Sequence, residues 1–411
     1  MLPADREFLQ TVGRLMENLR VCHLGKYYPP AAGGIETNVR ILARAQADLG
    51  LDVSVLCVNH RSGGTSVESD GPVSVTRVRR RVKADKLDIC PGLSRTLSRV
   101  EADVLHLHVP NPTMILALLA ARHPAPVVVT YQSDIIRQRI RGVLFRPFER
   151  LVYRNVPVIA QTSPLYSAGS RFLRPYQDRL EILPNGIELQ PYLQPSLEHQ
   201  AEAERIKARY PGPLWVGCGR MVYYKGFPNA LRALPEVPGT LLLVGGGPLR
   251  TRLEREAKEL GLGDRVVFLG NLPHYLDIVP YYLAAHAFWF PSNARSEGFG
   301  IVQVEAMASG CPVINAAIPH SGVAWVSRHE QEGLTVPMND PSALAAAARR
   351  LIEEPGLRDR LASAARTRAI EEFDHMVMAR QSLKIYERAL GRAILSSCPE
   401  RTESPSEEIE V

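Results

Sequence analysis

The stretch LWVGCGRMVYYKG, residues 214–226, is an apolar run that breaks at glycine and opens into a loop carrying two cations, Arg220 and Lys225. A strand of a parallel sheet is covered on both faces, so it reads as a short, nearly continuous apolar run rather than an alternating one. The same unit recurs downstream in TLLLVGGGP (240–248), RVVFLG (265–270), AFWFPS (287–292) and CPVINA (311–316), with charged helical stretches such as LRTRLEREAKELG among them. Upstream, LRVCHLG (19–25), DVSVLCV (52–58), ADVLHLH (102–108), PVVVTY (126–131), VPVIAQT (156–162) and RLEILPN (179–185) form an earlier series. SVTRVRR, by contrast, alternates as an exposed strand would. A helical stretch from about Ile35 to Leu49 stops at Gly50.

Two β-α series, each long enough for its own sheet, predict an α/β chain of two doubly wound Rossmann-like domains. The expected division is an extension over 1–18, a first domain over 19–190 and a second over 191–374. A crossover helix over 375–395 and a flexible polar tail over 396–411 follow. The segment PNGIELQPYLQPSLEHQ (184–200) is rich in proline and turn formers and marks the hinge. Ligands of such sheets bind beyond the carboxyl ends of the strands, so the chemistry belongs in the cleft between the domains.

At 411 residues the chain is too long for one ordinary core, and 45% apolar with 22% charged residues is a globular composition. The six cysteines form no C-x-x-C pair, which suits reduced thiols and a cytoplasmic setting. No apolar run reaches the length of a membrane span, and the first twenty residues carry no apolar signal core. The net charge of +6 is uneven: residues 1–200 hold 25 Lys and Arg against 18 acids, the remainder 24 against 25. The basic residues concentrate in RVRRRVK (77–83) and RQRIRGVLFRPFERLVYR (137–154). The second reads either as a basic amphipathic helix lying on an anionic membrane or as a solvated face whose arginine stems cover the core. No nucleic-acid-binding motif accompanies these residues, so no nucleic-acid partner is expected.

SEGFGIVQVEAMASGCPV (296–313) carries two acids, Glu297 in a glycine-rich loop and Glu305 inside an apolar run. A helix starting near Gly300 and ending at Gly310 puts the two carboxylates about 8–12 Å apart. That is too far for a shared proton. It suits two hydroxyl-bearing groups at opposite ends of an elongated ligand, with an anion between them at the helix N-terminus. Arg220 and Lys225 supply charge for that anion.

The E-x7-E segment resembles that of the retaining glycosyltransferases of family 4, which have the two-domain GT-B fold. GRMVYYKG is similar to their phosphate-binding loop. VGGGPLR (244–250), PNGIE (184–188) and KYYPPAAGGIETNV (26–39) have the family's form and order. The resemblance implies a metal-independent transfer of a hexose from a nucleotide-diphosphate sugar to a hydroxyl of a glycan or lipid-linked acceptor, with no cofactor. It implies that Glu297 meets the sugar, that the amides of Phe299 and Gly300 approach the phosphates, and that Glu305 takes the ribose hydroxyls. Arg220 and Lys225 would neutralise the departing diphosphate. Gly33, Gly34, Gly219, Gly246 and Gly298 would let backbone approach the donor. The absence of any Asp-x-Asp agrees with the lack of a metal.

One departure stands out. Gln132 occupies a position where the family often has histidine; glutamine can hydrogen-bond but cannot act as a base. His108, with His106, is expected to line the acceptor side of the cleft, and Asp134 either faces the acceptor or caps a helix. A metal site begun by the two histidines lacks an evident third ligand. VGGGPLR lacks the full dinucleotide spacing, which argues against an oxidoreductase. Alternatives of the same shape are a nucleotide-sugar 2-epimerase and a non-catalytic nucleotide-sugar-binding subunit. The basic first half points to a phosphorylated or membrane-borne acceptor and to peripheral contact at the inner face of the membrane.

Overall fold

The apolar runs become the central strands of two sheets. The computed structural model describes residues 19–394 apart from 32, 62, 85–86 and 133–138. Asp134, the 1–18 extension and the 396–411 tail lie outside the described residues. The first sheet contains β1 (Arg20–Leu24), β2 (Asp52–Val58), β3 (Ser66–Asp70) and β4 (Val73–Val78). Strands β5 (Val82–Ala84) and β6 (Leu87–Ile89) form a separate antiparallel hairpin. The first sheet then continues through β7 (Val104–Val109), β8 (Val127–Tyr131), β9 (Val158–Gln161) and β10 (Leu180–Ile182). Its order is β10-β9-β8-β7-β1-β2-β4-β3, parallel except for the β3–β4 edge.

The second sheet is wholly parallel, in the order β13-β12-β11-β14-β15-β16. Its strands are β11 (Leu214–Cys218), β12 (Thr240–Val244), β13 (Val266–Gly270), β14 (Ala287–Phe290), β15 (Val313–Ala316) and β16 (Gly333–Val336). Strands β7, β9, β14 and β15 are buried along their whole length, as uninterrupted apolar composition demands. The strand order reverses between β1 and β7 in one sheet and between β11 and β14 in the other. At such a point the loops leaving two neighbouring strands diverge to opposite faces and leave a crevice.

Among the helices between and after these strands are α1 (Gly34–Asp48), α2 (Pro112–Ala121), α3 (Arg139–Tyr153), α4 (Pro164–Ala168), α5 (Ile301–Ala308) and α6 (His375–Leu390). The crossover helix α6 stops at Leu390, short of the expected 395, because Gly391 turns the chain into the left-handed region at φ 64°. Its residues Met378, Ala379, Leu383 and Tyr386 belong to the core of the first sheet, packed with Val21, Leu42, Val104 and Val158. Where the chain crosses back, the Ile187 amide donates to the Phe373 carbonyl at 3.0 Å and the His375 amide to the Ile187 carbonyl at 3.0 Å. The two connections between the halves are thus hydrogen-bonded side by side.

The alternation expected in 74–80 holds through Arg77, which shares the buried face of Val73 and Val75, and fails at Val78, which is buried on the opposite face. Arg77 donates to the Tyr28 carbonyl at 3.0 Å and the Pro29 carbonyl at 2.6 Å and pairs with Glu68 at 3.1 Å, so its charge is compensated beneath the β1–α1 loop.

Candidate functional site

The loops that follow β11 and β14 meet at the second sheet's crevice. Lys225 closes a single 3-10 turn, Tyr223–Lys225, and its Nζ lies 2.7 Å from Glu297 Oε2. The two side chains are only 12% and 11% exposed. Ser292 Oγ donates to the same Glu297 oxygen at 3.4 Å, and Lys225 Nζ stands 5.0 Å from the Phe290 ring centroid. Gly219 permits this approach: its φ is 141°, and a Cβ there would lie 3.1 Å from Lys225 Cε. Gly246 sits on the adjoining β12 loop, where its carbonyl accepts from the Met221 amide at 2.8 Å. Arg220 is exposed and makes no ion pair among the described residues.

Helix α5 begins after Gly300, held at φ 78° with no room for a Cβ beside the Phe290 ring. Among the described residues, the amides of Phe299 and Gly300 donate no hydrogen bond within the protein. Glu305 lies on the second turn, half-buried, and accepts from Tyr282 OH at 3.2 Å. Burial pushes its carboxyl up to about 7, opposed by the Tyr282 hydrogen bond and the Lys225 charge. Lys225 therefore acts on both acids. Glu305 also lines a cavity of about 500 Å³ between the halves, with Ile301, Tyr192 and Tyr275 on one side and Thr37 and Arg40 of α1 on the other.

The first half reaches the same place from across the cleft. Gln132, at the end of β8, donates to Asn38 Oδ1 at 3.4 Å. Its carbonyl oxygen lies 3.4 Å from the point where a Cβ on Gly298 would stand, so Gln132 and the Glu297 loop adjoin. Arg295 fastens the two halves: it donates to the carbonyls of Tyr166 at 2.8 Å and Gly169 at 3.1 Å, at the end of α4, and to that of His320 at 3.1 Å. Its guanidinium lies 4.5 Å from the Tyr166 ring centroid.

Two expected site residues have surroundings that the sequence did not show. A Cβ on Gly33 would fall 2.1 Å from Glu36 Oε2, so the space this glycine leaves is taken by a carboxylate of the chain, while Gly34 faces open space. Burial raises the Glu36 pKa at that helix start, against its own backbone hydrogen bond.

His108 is the other. It is 1% exposed and does not line the acceptor side. It lies against His23, with Nε2 2.9 Å from His23 Nδ1, in a buried network. From there His23 Nε2 reaches Gln46 Oε1 at 2.8 Å, and Gln46 Nε2 donates to Ser382 Oγ at 2.7 Å and Tyr386 OH at 2.9 Å. His106 bonds Tyr386 OH at 2.7 Å and Thr130 Oγ1 at 2.6 Å. The network exists because β1 and β7 are neighbours and α6 covers them. One ring nitrogen from each of His23, His106 and His108 lies within 4.8 Å of the other two, so His23 completes the trio that two histidines began. Both nitrogens of His23 and of His106 are already in hydrogen bonds, and only His108 Nδ1 lacks a partner. Three converging lone pairs are not available for a metal. The cluster fastens α6 to the first sheet.

A family model described as glycosyl transferases group 1 matches residues 201–368, and a glycosyl transferase 4-like domain matches residues 33–186. A D-rhamnosyltransferase of Pseudomonas aeruginosa is 33% identical over 347 residues, covering 82% of this chain and 87% of its own. The chain belongs to the family 4 glycosyltransferases. An O-antigen chain mannosyltransferase of Escherichia coli is 31% identical to this glycosyltransferase over 374 residues, 88% of this chain and 96% of that one. Among solved structures, sucrose-phosphate synthase of Thermosynechococcus elongatus shares 25% identity and a TM-score of 0.73, over 91% of this chain and 99% of its own. The two-sheet architecture is the GT-B fold.

Sequence reading missed Tyr282, Ser292 and Arg295 at the centre of the glycosyltransferase. Tyr282 acts through a partner distant in sequence and Arg295 through backbone carbonyls, which leave no spacing signal, and Ser292 acts through a 3.4 Å contact to Glu297, five residues on. Glu36 lay inside a quoted motif, six residues after Pro30, which lines the cavity.

Proposed function

We propose that this glycosyltransferase moves a hexose from a nucleotide-diphosphate sugar to a hydroxyl of a glycan or lipid-linked acceptor, with retention of configuration and without a metal. The observation that carries this reading is Lys225, which holds Glu297 at 2.7 Å and whose charge also acts on Glu305. A cation between two acids suits a ligand with hydroxyls at both ends and a diphosphate in the middle.

In this reading Glu297 binds hydroxyls of the transferred sugar, and the amides of Phe299 and Gly300 face a phosphate at the start of α5. Glu305 holds the ribose. Lys225 and Arg220 stabilise the charge that builds on the leaving diphosphate. A leaving-group phosphate oxygen takes the acceptor proton, the acceptor oxygen bonds to the anomeric carbon on the face the diphosphate leaves, and Gln132 orients the acceptor or the sugar. Residues 19–190 serve as the acceptor domain and residues 191–374 as the donor domain.

D-Rhamnose is 6-deoxy-D-mannose, so the sugars named for the two relatives share the axial 2-hydroxyl, which supports a mannose-configured donor. No helix among the described residues is long and apolar enough to cross a membrane. Peripheral binding to anionic lipid through α3, which exposes Phe148 and Leu151 among arginines, completes the reading.

The test is transfer from a panel of nucleotide sugars with the product's anomeric configuration read by NMR. An inverted product overturns retention, and loss of activity in chelator restored by a divalent cation overturns metal independence. Conversion of the donor to its 2-epimer without acceptor would identify an epimerase. Thermal stabilisation by nucleotide with no transfer would identify a binding subunit.

A further inference from the structure

In the first half, a groove of about 260 Å³ runs between the β5–β6 hairpin and α2. Leu87, Ile89, Leu93, Leu116, Ala117 and Ala120 line it. The hairpin is not part of either sheet, and its cross-strand pair Val82–Ile89 is exposed, 50% and 44%. An apolar pair directly opposed across strands and left in water has no structural use here, because a core face would bury it. Cations flank it in the sequence. Arg79, Arg81 and Lys83 are exposed and make no side-chain ion pair among the described residues. The sequence over 79–86 holds five cations against one acid.

The groove is tied to the reaction cleft by one residue. The Asp88 carboxylate, buried at the groove floor, accepts from Tyr27 OH at 2.8 Å and pairs with Arg80 at 3.3 Å and Lys26 at 3.8 Å. Its own amide donates to Thr113 Oγ1 of α2 at 2.9 Å. Lys26 and Tyr27 lead directly into Pro29 and Pro30, which line the cavity that also contains Glu305. A ligand whose reacting end lies in the cleft can therefore run along one loop to the hairpin.

We propose that this groove seats the hydrocarbon chain of a lipid-linked acceptor, and that Arg79, Arg81 and Lys83 hold the diphosphate that joins the chain to its glycan. Three cations with no side-chain ion pair among the described residues match the charge of a lipid diphosphate, and the apolar groove beside their hairpin suits its chain. The inference rests on the reading of the chain as a transferase with a lipid-linked acceptor.

Calorimetric titration with farnesyl diphosphate and with inorganic diphosphate tests it, both in the presence of saturating nucleoside diphosphate so that the donor site is filled. Farnesyl diphosphate should bind at least about tenfold more tightly than inorganic diphosphate, the equivalent of burying about two methylenes. Ala120→Trp, at an exposed position on the groove wall, should remove that advantage and leave inorganic diphosphate binding unchanged. Arg81→Glu with Lys83→Glu should weaken both ligands about tenfold. Nucleotide-induced thermal stabilisation should be the same in every variant.

Equal affinity for the two ligands, or farnesyl diphosphate binding untouched by Ala120→Trp, overturns the proposal. So does self-association that Ala120→Trp abolishes, since the groove would then be covered by a second copy. Transfer to a water-soluble glycan with no farnesyl diphosphate binding removes the groove and leaves the transferase. Farnesyl diphosphate binding with no transfer to any acceptor does the reverse.

Discussion

Lys225 and Glu297, 72 residues apart in the chain, are joined at 2.7 Å where the loops after β11 and β14 converge. With the pair nearly buried, each charge depends on the other, and truncating either side leaves a charge short of solvent. Lys225→Ala should therefore lower the melting temperature more than Lys225→Ala combined with Glu297→Gln, with a coupling of about 1–3 kcal/mol in denaturant titrations. Additive effects would show that the two do not sustain each other. Glu297→Gln should lower kcat at least about 100-fold, in the range found when one transition-state contact is removed, while nucleotide still raises the melting temperature.

Gln132 adjoins the Glu297 loop but has no group that can take a proton. Gln132→Ala should cost markedly less activity than Glu297→Ala. If the two variants are equally inactive in a transfer assay, the phosphate is not the base and the role given to Gln132 is wrong.

Glu305, pushed up to about 7, titrates near neutrality. Between the usual 4.5 and 7 the folded chain keeps a proton that the unfolded chain has released. Its contribution to stability is thus full below 4.5 and is lost as the pH rises through 7. Ionisation has the opposite effect on the ligand, because a carboxylate accepts hydroxyl hydrogen bonds better than a carboxylic acid. Nucleoside diphosphate affinity should rise between about pH 6 and 8, on top of the nucleotide's own titration, and Glu305→Gln should remove that component. An identical pH profile in the variant would sink this assignment.

The buried histidines act in the other pH direction. Burial lowers His23 to about 4, opposed by its Gln46 hydrogen bond, and it lowers His106 and His108 further below their ordinary value. The unfolded chain takes up these protons at about 6.5 while the folded chain refuses them, so this stability is present above 6.5 and is lost as the pH falls toward 4. The melting temperature should fall across that window, and His23→Gln should flatten the slope. Since Gln46, Ser382, Tyr386 and Thr130 bring no charge to the site, nothing nearby compensates a proton there.

Arg295 joins the halves through two carbonyl oxygens, those of Tyr166 and Gly169, and is braced by that of His320 in its own half. Arg295→Ala should enlarge the radius of gyration in solution scattering and reduce kcat about tenfold, with lysine restoring part of both because it can reach only one carbonyl at a time. An unchanged scattering profile would mean that closure rests on other contacts.

The β-α repeats were legible because a buried parallel strand can only be an apolar run, and the α5 start was legible because Gly300 must break one conformation to begin another. The pairing of one cation loop with one acid loop followed from motif order. What could not be read was anything decided by which strands are neighbours. His23 joins His106 only because β1 lies beside β7, and Arg77 is buried only because the β1–α1 loop folds over it. The resemblance put His108 at the cleft, yet α6, arriving from the far end of the chain, seals that side. Glu36 shows the same limit: the resemblance implied a glycine turn next to the donor, and a side chain three residues on occupies the space beside Gly33.

Because Met378, Leu383 and Tyr386 fill the face of the first sheet, the half of the molecule that leaves the ribosome first lacks part of its interior until residues 375–390 have been made. The later half encloses its own sheet and can mature earlier. Nascent chains arrested before residue 375 should keep residues 19–190 open to protease while residues 191–374 resist it, an inversion of the order of synthesis.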